Sequence, residues 1–142
     1  MPLIRITAQQ GTFDTATQNK FIEEVTDAVL TAEGANPQDP AAQSLAWAYF
    51  TEQEKGDIYV GKQVIDSPPV LIRVTVPAGS LNAGETSALA TSINAIVNDF
   101  IGPYENRLNH WLLVDEIPES GWASNGVVFS IEDVRGAMNI SK

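Results

Sequence analysis

The sequence predicts an α+β fold in which two tandem β-α-β units share a four-stranded mixed sheet, with two helices on one face. Three observations lead there. The segment Leu3-Ile4-Arg5-Ile6-Thr7 returns as Leu71-Ile72-Arg73-Val74-Thr75, a shift of 68 from residue 3 to residue 71. Apolar residues at helical spacing follow each copy. A single β-α-β unit has one helix for two strands and leaves a sheet face bare, so two such units side by side are the smallest arrangement that builds a core.

The first strand is the β-branched run Leu3 to Thr7, stopped near Gly11. Asp14 or Thr15 is placed to cap a helix whose apolar positions are Phe21, Ile22, Val25, Ala28, Val29 and Ala32. Gly34, Pro37 and Pro40 end it. A second extended run is expected over Leu45 to Thr51, and "EQEKGDIYVGK" after it, with Gly56 and Gly61, reads as a turn and small hairpin. The helical crossover between the two strands is long enough to make them parallel.

The second unit repeats this order. The shift of 68 lays Gly79 on Gly11, and Leu89, Ile93, Ile96 and Val97 on Phe21, Val25, Ala28 and Val29. A shift of 64 then lays Trp111 on Trp47 and Glu116 on Glu52, the change of offset falling in the helix-to-strand connection, where insertions are tolerated. One domain over 1–142 is expected, divided at 1–66 and 67–142, with residues 53–69 as the joint. The strands "LIRIT", "AWAYF" and "WLLV" read as nearly continuous apolar runs, as in sheets buried on both faces. One chain has helices for one face only, so an oligomer is expected to cover the other.

Composition narrows the function. Of 142 residues 44% are apolar, which suffices for a packed core, and no window approaches 18 consecutive apolar residues. With no membrane partner and no secretory leader read at the N-terminus, the expected location is cytoplasmic. The absence of cysteine excludes disulfides, thiol nucleophiles and thiolate metal sites, and a single histidine, His110, with no acidic ligand spacing argues against a metal. A net charge of −10 with eight scattered basic residues argues against nucleic acid. An anionic ligand would need a locally positive pocket in this acidic chain.

The Met-Pro-apolar start, the duplicated β-α-β units, "FTEQEKGDIYVG" (50–61) and "DEIPESGWASNG" (115–126) together resemble the tautomerase superfamily over the whole chain. Its members include 4-oxalocrotonate tautomerase, malonate semialdehyde decarboxylase, cis-3-chloroacrylic acid dehalogenase and macrophage migration inhibitory factor. The resemblance implies a tautomerase fold in fused two-unit form, a homotrimer, no cofactor, and catalysis by an N-terminal proline on a small carboxylate or enol. Removal of Met1 would expose Pro2 as a secondary amine. An apolar pocket lowers the proton affinity of such an amine towards neutrality, where it can take a proton from carbon beside a carbonyl and return it elsewhere. Val70, the repeat mate of Pro2, has its nitrogen locked in a peptide bond, so only one of the two copies can do this chemistry.

The resemblance also implies an aromatic wall at Trp122. The arginines of the short tautomerases face Thr12 and Trp47 here, and Ser80 or Leu81 and Trp111 in the second copy. Those of the dehalogenase and decarboxylase branches face "VPAGSL" (76–81). The decarboxylase's acid loosely matches Asp39, and the dehalogenase's tyrosine and glutamate positions hold Leu113 and Ser124. Arg73 is therefore the candidate for a substrate carboxylate, with Arg5 as its repeat mate and Lys62 and Arg107 as weaker ones. Trp47 and Trp111 read as core or interface residues. Asn109, Asn125 and Tyr49 are possible hydrogen-bond donors. The expected function is a cofactor-independent tautomerase acting through Pro2. The alternatives are a Pro2-dependent hydratase, dehalogenase or decarboxylase, and a non-catalytic binding protein on the same fold.

Overall fold

The computed structural model describes residues 1–142. In chain order the elements are β1 (Leu3–Gln9), α1 (Thr15–Glu33), α2 (Pro40–Leu45), β2 (Trp47–Gln53), a short hairpin of β3 (Tyr59–Val60) and β4 (Gln63–Val64), then β5 (Val70–Pro77), α3 (Ala83–Ile101) and β6 (His110–Ile117). A 3₁₀ turn at Glu119–Gly121, a second short hairpin of β7 (Ala123–Ser124) and β8 (Val127–Val128), and α4 (Ile131–Ala137) complete the chain. The main sheet has the order β2-β1-β5-β6, with β1 parallel to β2, β5 parallel to β6, and β1 antiparallel to β5. The predicted mixed four-stranded sheet is thus observed.

Local chemistry starts and stops the helices. The Asp14 side chain accepts the Thr17 N–H at 2.8 Å to cap α1, which ends at Gly34 in the left-handed region (φ 87°). Asn82 and Glu85 form a reciprocal capping box on α3. Side chains one apart on a strand point to opposite faces, so Ile4 and Ile6 of β1 and Ile72 and Val74 of β5 turn the same way. They pack in one cluster with Phe21 and Val25 of α1 and Ile93 and Val97 of α3. Both long helices therefore cover the same sheet face.

The duplication is visible in the hydrogen bonds. Gly11 (φ 85°) donates its N–H to Glu52 Oε2 at 3.2 Å, and its mate Gly79 (φ 82°) donates to Glu116 Oε1 at 3.0 Å. Both turns need the left-handed conformation that glycine adopts without strain. Arg5 lies opposite Arg73 where β1 meets β5, with Leu3 opposite Thr75 and Thr7 opposite Leu71, so the two units meet about an approximate two-fold at the arginines. Hairpins β3–β4 and β7–β8 are likewise 64 residues apart.

Three expectations are corrected. Leu45 is not in the second strand but ends α2, which Asp39 caps through the Ala41 N–H (2.9 Å) and Pro40 begins, so β2 starts at Trp47. Of the two places expected for Trp47 and Trp111, core or interface, the core is ruled out, since they stand 59% and 60% exposed on the sheet face away from the helices. The apolar runs "AWAYF" and "WLLV" thus leave one face of the single chain open, the face an oligomer is expected to cover. Finally, α4 was not expected. Ser130 and Asp133 box its N-terminus, and it seats Val134 and Met138 on a second apolar cluster with Leu30, Ala35 and Ala42.

Candidate active site

The open end of the sheet where β1 begins and β6 ends forms a largely apolar cleft of about 850 Å³. Its walls come from six parts of the chain. The N-terminus brings Met1 and Pro2; β1 and β5 bring Arg5 and Arg73; β2 brings Trp47; the segment after β6 brings Trp122 and Ser124; and α4 brings Val134, with Phe129 just before it. Pro2 is buried. Its carbonyl accepts the Trp47 N–H at 3.1 Å, which extends the β1–β2 ladder to the mouth of the cleft and fixes where the chain begins.

The cleft holds charge of both signs, Arg5 and Arg73 lining it together with Asp115, Glu116 and Asp133. Arg73 donates through Nε (3.1 Å) and Nη2 (2.8 Å) to the same oxygen of Asp115, Oδ2, and this pair is partly exposed. Arg5, directly opposite Arg73 in the sheet, makes no ion pair. Trp122 is half-buried, and its carbonyl accepts the Phe129 N–H at 2.9 Å, which ties it to the segment leading into α4. The structure thus brings together in one cleft all three residues singled out for the site, Pro2, Arg73 and Trp122.

The terminal amine of Met1 lies against a carboxylate that sequence reasoning did not single out. It donates to both oxygens of Glu33, at 3.2 and 3.3 Å, and Glu33 is 1% exposed. Burial lowers the amine's proton affinity, partly opposed by attraction to Glu33, and burial raises the Glu33 pKa, partly opposed by the amine. The signal was present in the sequence: Glu33 continues the stripe Phe21, Val25, Val29 at four-residue steps, a charge where an apolar residue is expected.

The other candidates go elsewhere. Thr12 donates its hydroxyl to the Gln9 carbonyl in the turn after β1. Asp39 caps α2 and accepts from Asn139 at 2.7 Å, which with the Ala41 N–H holds its carboxyl below the usual range. Arg107 stacks on Tyr104 at 4.2 Å and donates to the Ser67 carbonyl. Asn109 is buried and donates to Asn98 and Gly102. His110 sits beside it, its pKa lowered by burial. Lys62 lies in the β3–β4 turn and Leu113 on the open sheet face. Only Ser124 and Asn125 of the remaining group line the cleft. No group of three or more His, Asp or Glu side chains is placed to hold a metal ion, and no helix is long and apolar enough to cross a membrane.

Comparison with known proteins places this arrangement. No curated protein matches the chain by sequence. Among solved structures, one described as an asymmetric trimer of F6 fused 4-OT superposes with a TM-score of 0.74 at 16% identity, covering 89% of this chain and 94% of that one. Pt0534 inactivated by 2-oxo-3-pentynoate gives 0.74 at 17% identity, covering 93% and 98%. N1, a member of the cis-3-chloroacrylic acid dehalogenase family, gives 0.73 at 16% identity, covering 89% and 82%. At these identities the likeness is one of fold. The family model for putative oxalocrotonate tautomerase enzymes matches residues 1–134, and the chain belongs to that family.

Proposed function

We propose that this protein is a cofactor-independent tautomerase in which Pro2, exposed by removal of Met1, moves a proton on a small 2-oxo acid or enol. The observation that carries the reading is the burial of Pro2 at the start of β1, on the wall of a largely apolar cleft that Arg73 and Trp122 also line. Desolvation of the Pro2 nitrogen there lowers its proton affinity, which favours its use as a base. The proline ring restricts its direction.

Each step uses a residue of the cleft. Arg73, with Arg5 beside it, takes the substrate carboxylate and orients the chain of carbons over Pro2. Pro2 removes the proton from carbon next to the carbonyl, and the same nitrogen returns it to the other end of the enol system, so the protons balance. Trp122 and Phe129 exclude water from that side. The assembly that suits this site is a homotrimer. It would cover the open sheet face, where Trp47, Tyr49 and Trp111 are more than half exposed around the two arginines.

Ketonisation of phenylenolpyruvate and 2-hydroxymuconate, measured on protein whose mass shows Pro2 first, tests the reading. Pro2→Ala is expected to lower kcat/KM by about 10²-fold or more, the usual contribution of a positioned acid–base group. Activity unaffected by the substitution would remove the proline mechanism. Water-dependent chemistry through Pro2, the second enzymatic alternative, would appear as halide or carbon dioxide release from 3-chloroacrylates or 3-oxo acids, and binding without turnover of any of these would leave the non-catalytic one.

A further inference from the structure

Glu33 has no evident structural reason to be charged. It is the last residue of α1, where the helix dipole disfavours an anion, and it is wholly buried beside the apolar cluster that Leu30, Ala35 and Met138 share with Met1. A buried carboxylate is costly unless a partner holds it, and an isosteric neutral residue would be cheaper. The cation Lys142 faces it from the C-terminal segment, but the Lys142 ammonium is engaged with Glu85 at 2.8 Å. The only hydrogen-bond partner of the Glu33 carboxylate is the terminal amine, which both oxygens accept from. The Pro2 nitrogen is one residue, at most about 3.6 Å, further along the chain.

We propose that Glu33 is a positioning residue for the catalytic nitrogen: once Met1 is removed, its carboxylate holds the protonated Pro2 imino group, directly or through one water in the space Met1 leaves. The inference rests on the reading of Pro2 as the acid–base group. It gives the buried carboxylate a use in the processed chain. It also gives the nitrogen a counter-charge that opposes the desolvation of the cleft, so that the proton is neither shed entirely nor held too firmly. The charged side chains that line the cleft with Pro2 are Arg5, Arg73, Asp115, Glu116 and Asp133, of which Arg73 and Asp115 are already paired; Glu33 lies outside that lining, buried behind the terminus.

The test is a pH titration of the Pro2 nitrogen by NMR on ¹⁵N-proline-labelled protein beginning at Pro2, for the natural chain and for Glu33→Gln. An opposite charge within reach raises an amine's pKa by about one to three units, so its removal is expected to lower the Pro2 midpoint by about one unit or more. A Glu33→Gln midpoint that is unmoved or higher overturns the proposal. Glu33→Asp keeps the charge, is expected to return most of the shift, and guards against a fold defect in the amide variant; a midpoint as low as that of Glu33→Gln also overturns it. The titration reads proton affinity without turnover. A midpoint that falls as expected in a protein whose activity ignores Pro2→Ala would refute the proposed function, and with it the positioning role, and leave only the Glu33–Pro2 charge contact standing.

Discussion

Arg73→Met removes the charge from the cleft while keeping a side chain of similar length, and the structure sets the size of the effect. The guanidinium spends Nε and Nη2 on one Asp115 oxygen, leaving the rest of its donor fork unused. With side chains 45% and 36% exposed, that pair is worth about 0.2–1 kcal/mol, so a substrate carboxylate can displace or share it at small cost. A charge-assisted hydrogen bond to the substrate is worth about 1.5–3 kcal/mol. Arg73→Met is therefore expected to reduce kcat/KM for phenylenolpyruvate by about 10- to 150-fold. Asp115→Asn frees the guanidinium and is expected to raise kcat/KM by no more than about fivefold, from the upper value of the surface pair. Steady-state kinetics on the two variants, with thermal unfolding to verify the fold, decide the matter. An Arg73→Met protein within twofold of the natural one would mean that the carboxylate is held elsewhere, and Arg5 would be next to test.

Three further outcomes are expected. Trp122→Ala admits water beside Pro2, which raises the amine's pKa and moves the acid limb of the kcat/KM profile to higher pH; a limb that stays or moves to lower pH contradicts the wall. Phe21 is fully buried and stacks on Phe13 with ring centroids 4.8 Å apart, so Phe21→Ala should cost about 3–5 kcal/mol in denaturant unfolding, and a loss below 1 kcal/mol would show that the helix-to-sheet core is elsewhere. Light scattering at micromolar concentration should give about three times the 15.3 kDa chain mass, whereas a stable monomer would remove the trimer.

The fold was legible where the sequence repeats itself. The pairs Gly11 with Gly79 and Glu52 with Glu116 sit at the two shifts read from the sequence, and the structure joins glycine to glutamate in both units. Apolar period gave α1 and α3 because their buried stripes continue over several turns. For the strands it gave apolar character on both faces but not which face the chain covers by itself, since Trp47, Tyr49 and Trp111 are apolar and point away from the helices. The short α2 was hidden by prolines that read as breakers, although Pro40 after Asp39 is a helix start.

The site was legible in part. Pro2, Arg73 and Trp122 came from the repeat and from the resemblance, and the three meet in one cleft. Glu33 escaped because its partner is the main-chain terminus, a group no side-chain motif records. Phe129 and α4 escaped because the second hairpin must fold the chain back before they reach the cleft, a tertiary event with no local period.

The most direct test of the account uses 2-oxo-3-pentynoate, the compound that inactivates Pt0534. Protein beginning at Pro2 is treated with it and digested, and the modified peptide is located by mass spectrometry alongside residual activity. The account predicts one adduct per chain on the Pro2 nitrogen and loss of ketonisation activity in step with its formation. An adduct confined to lysine side chains, or full activity in protein modified at Pro2, would contradict it.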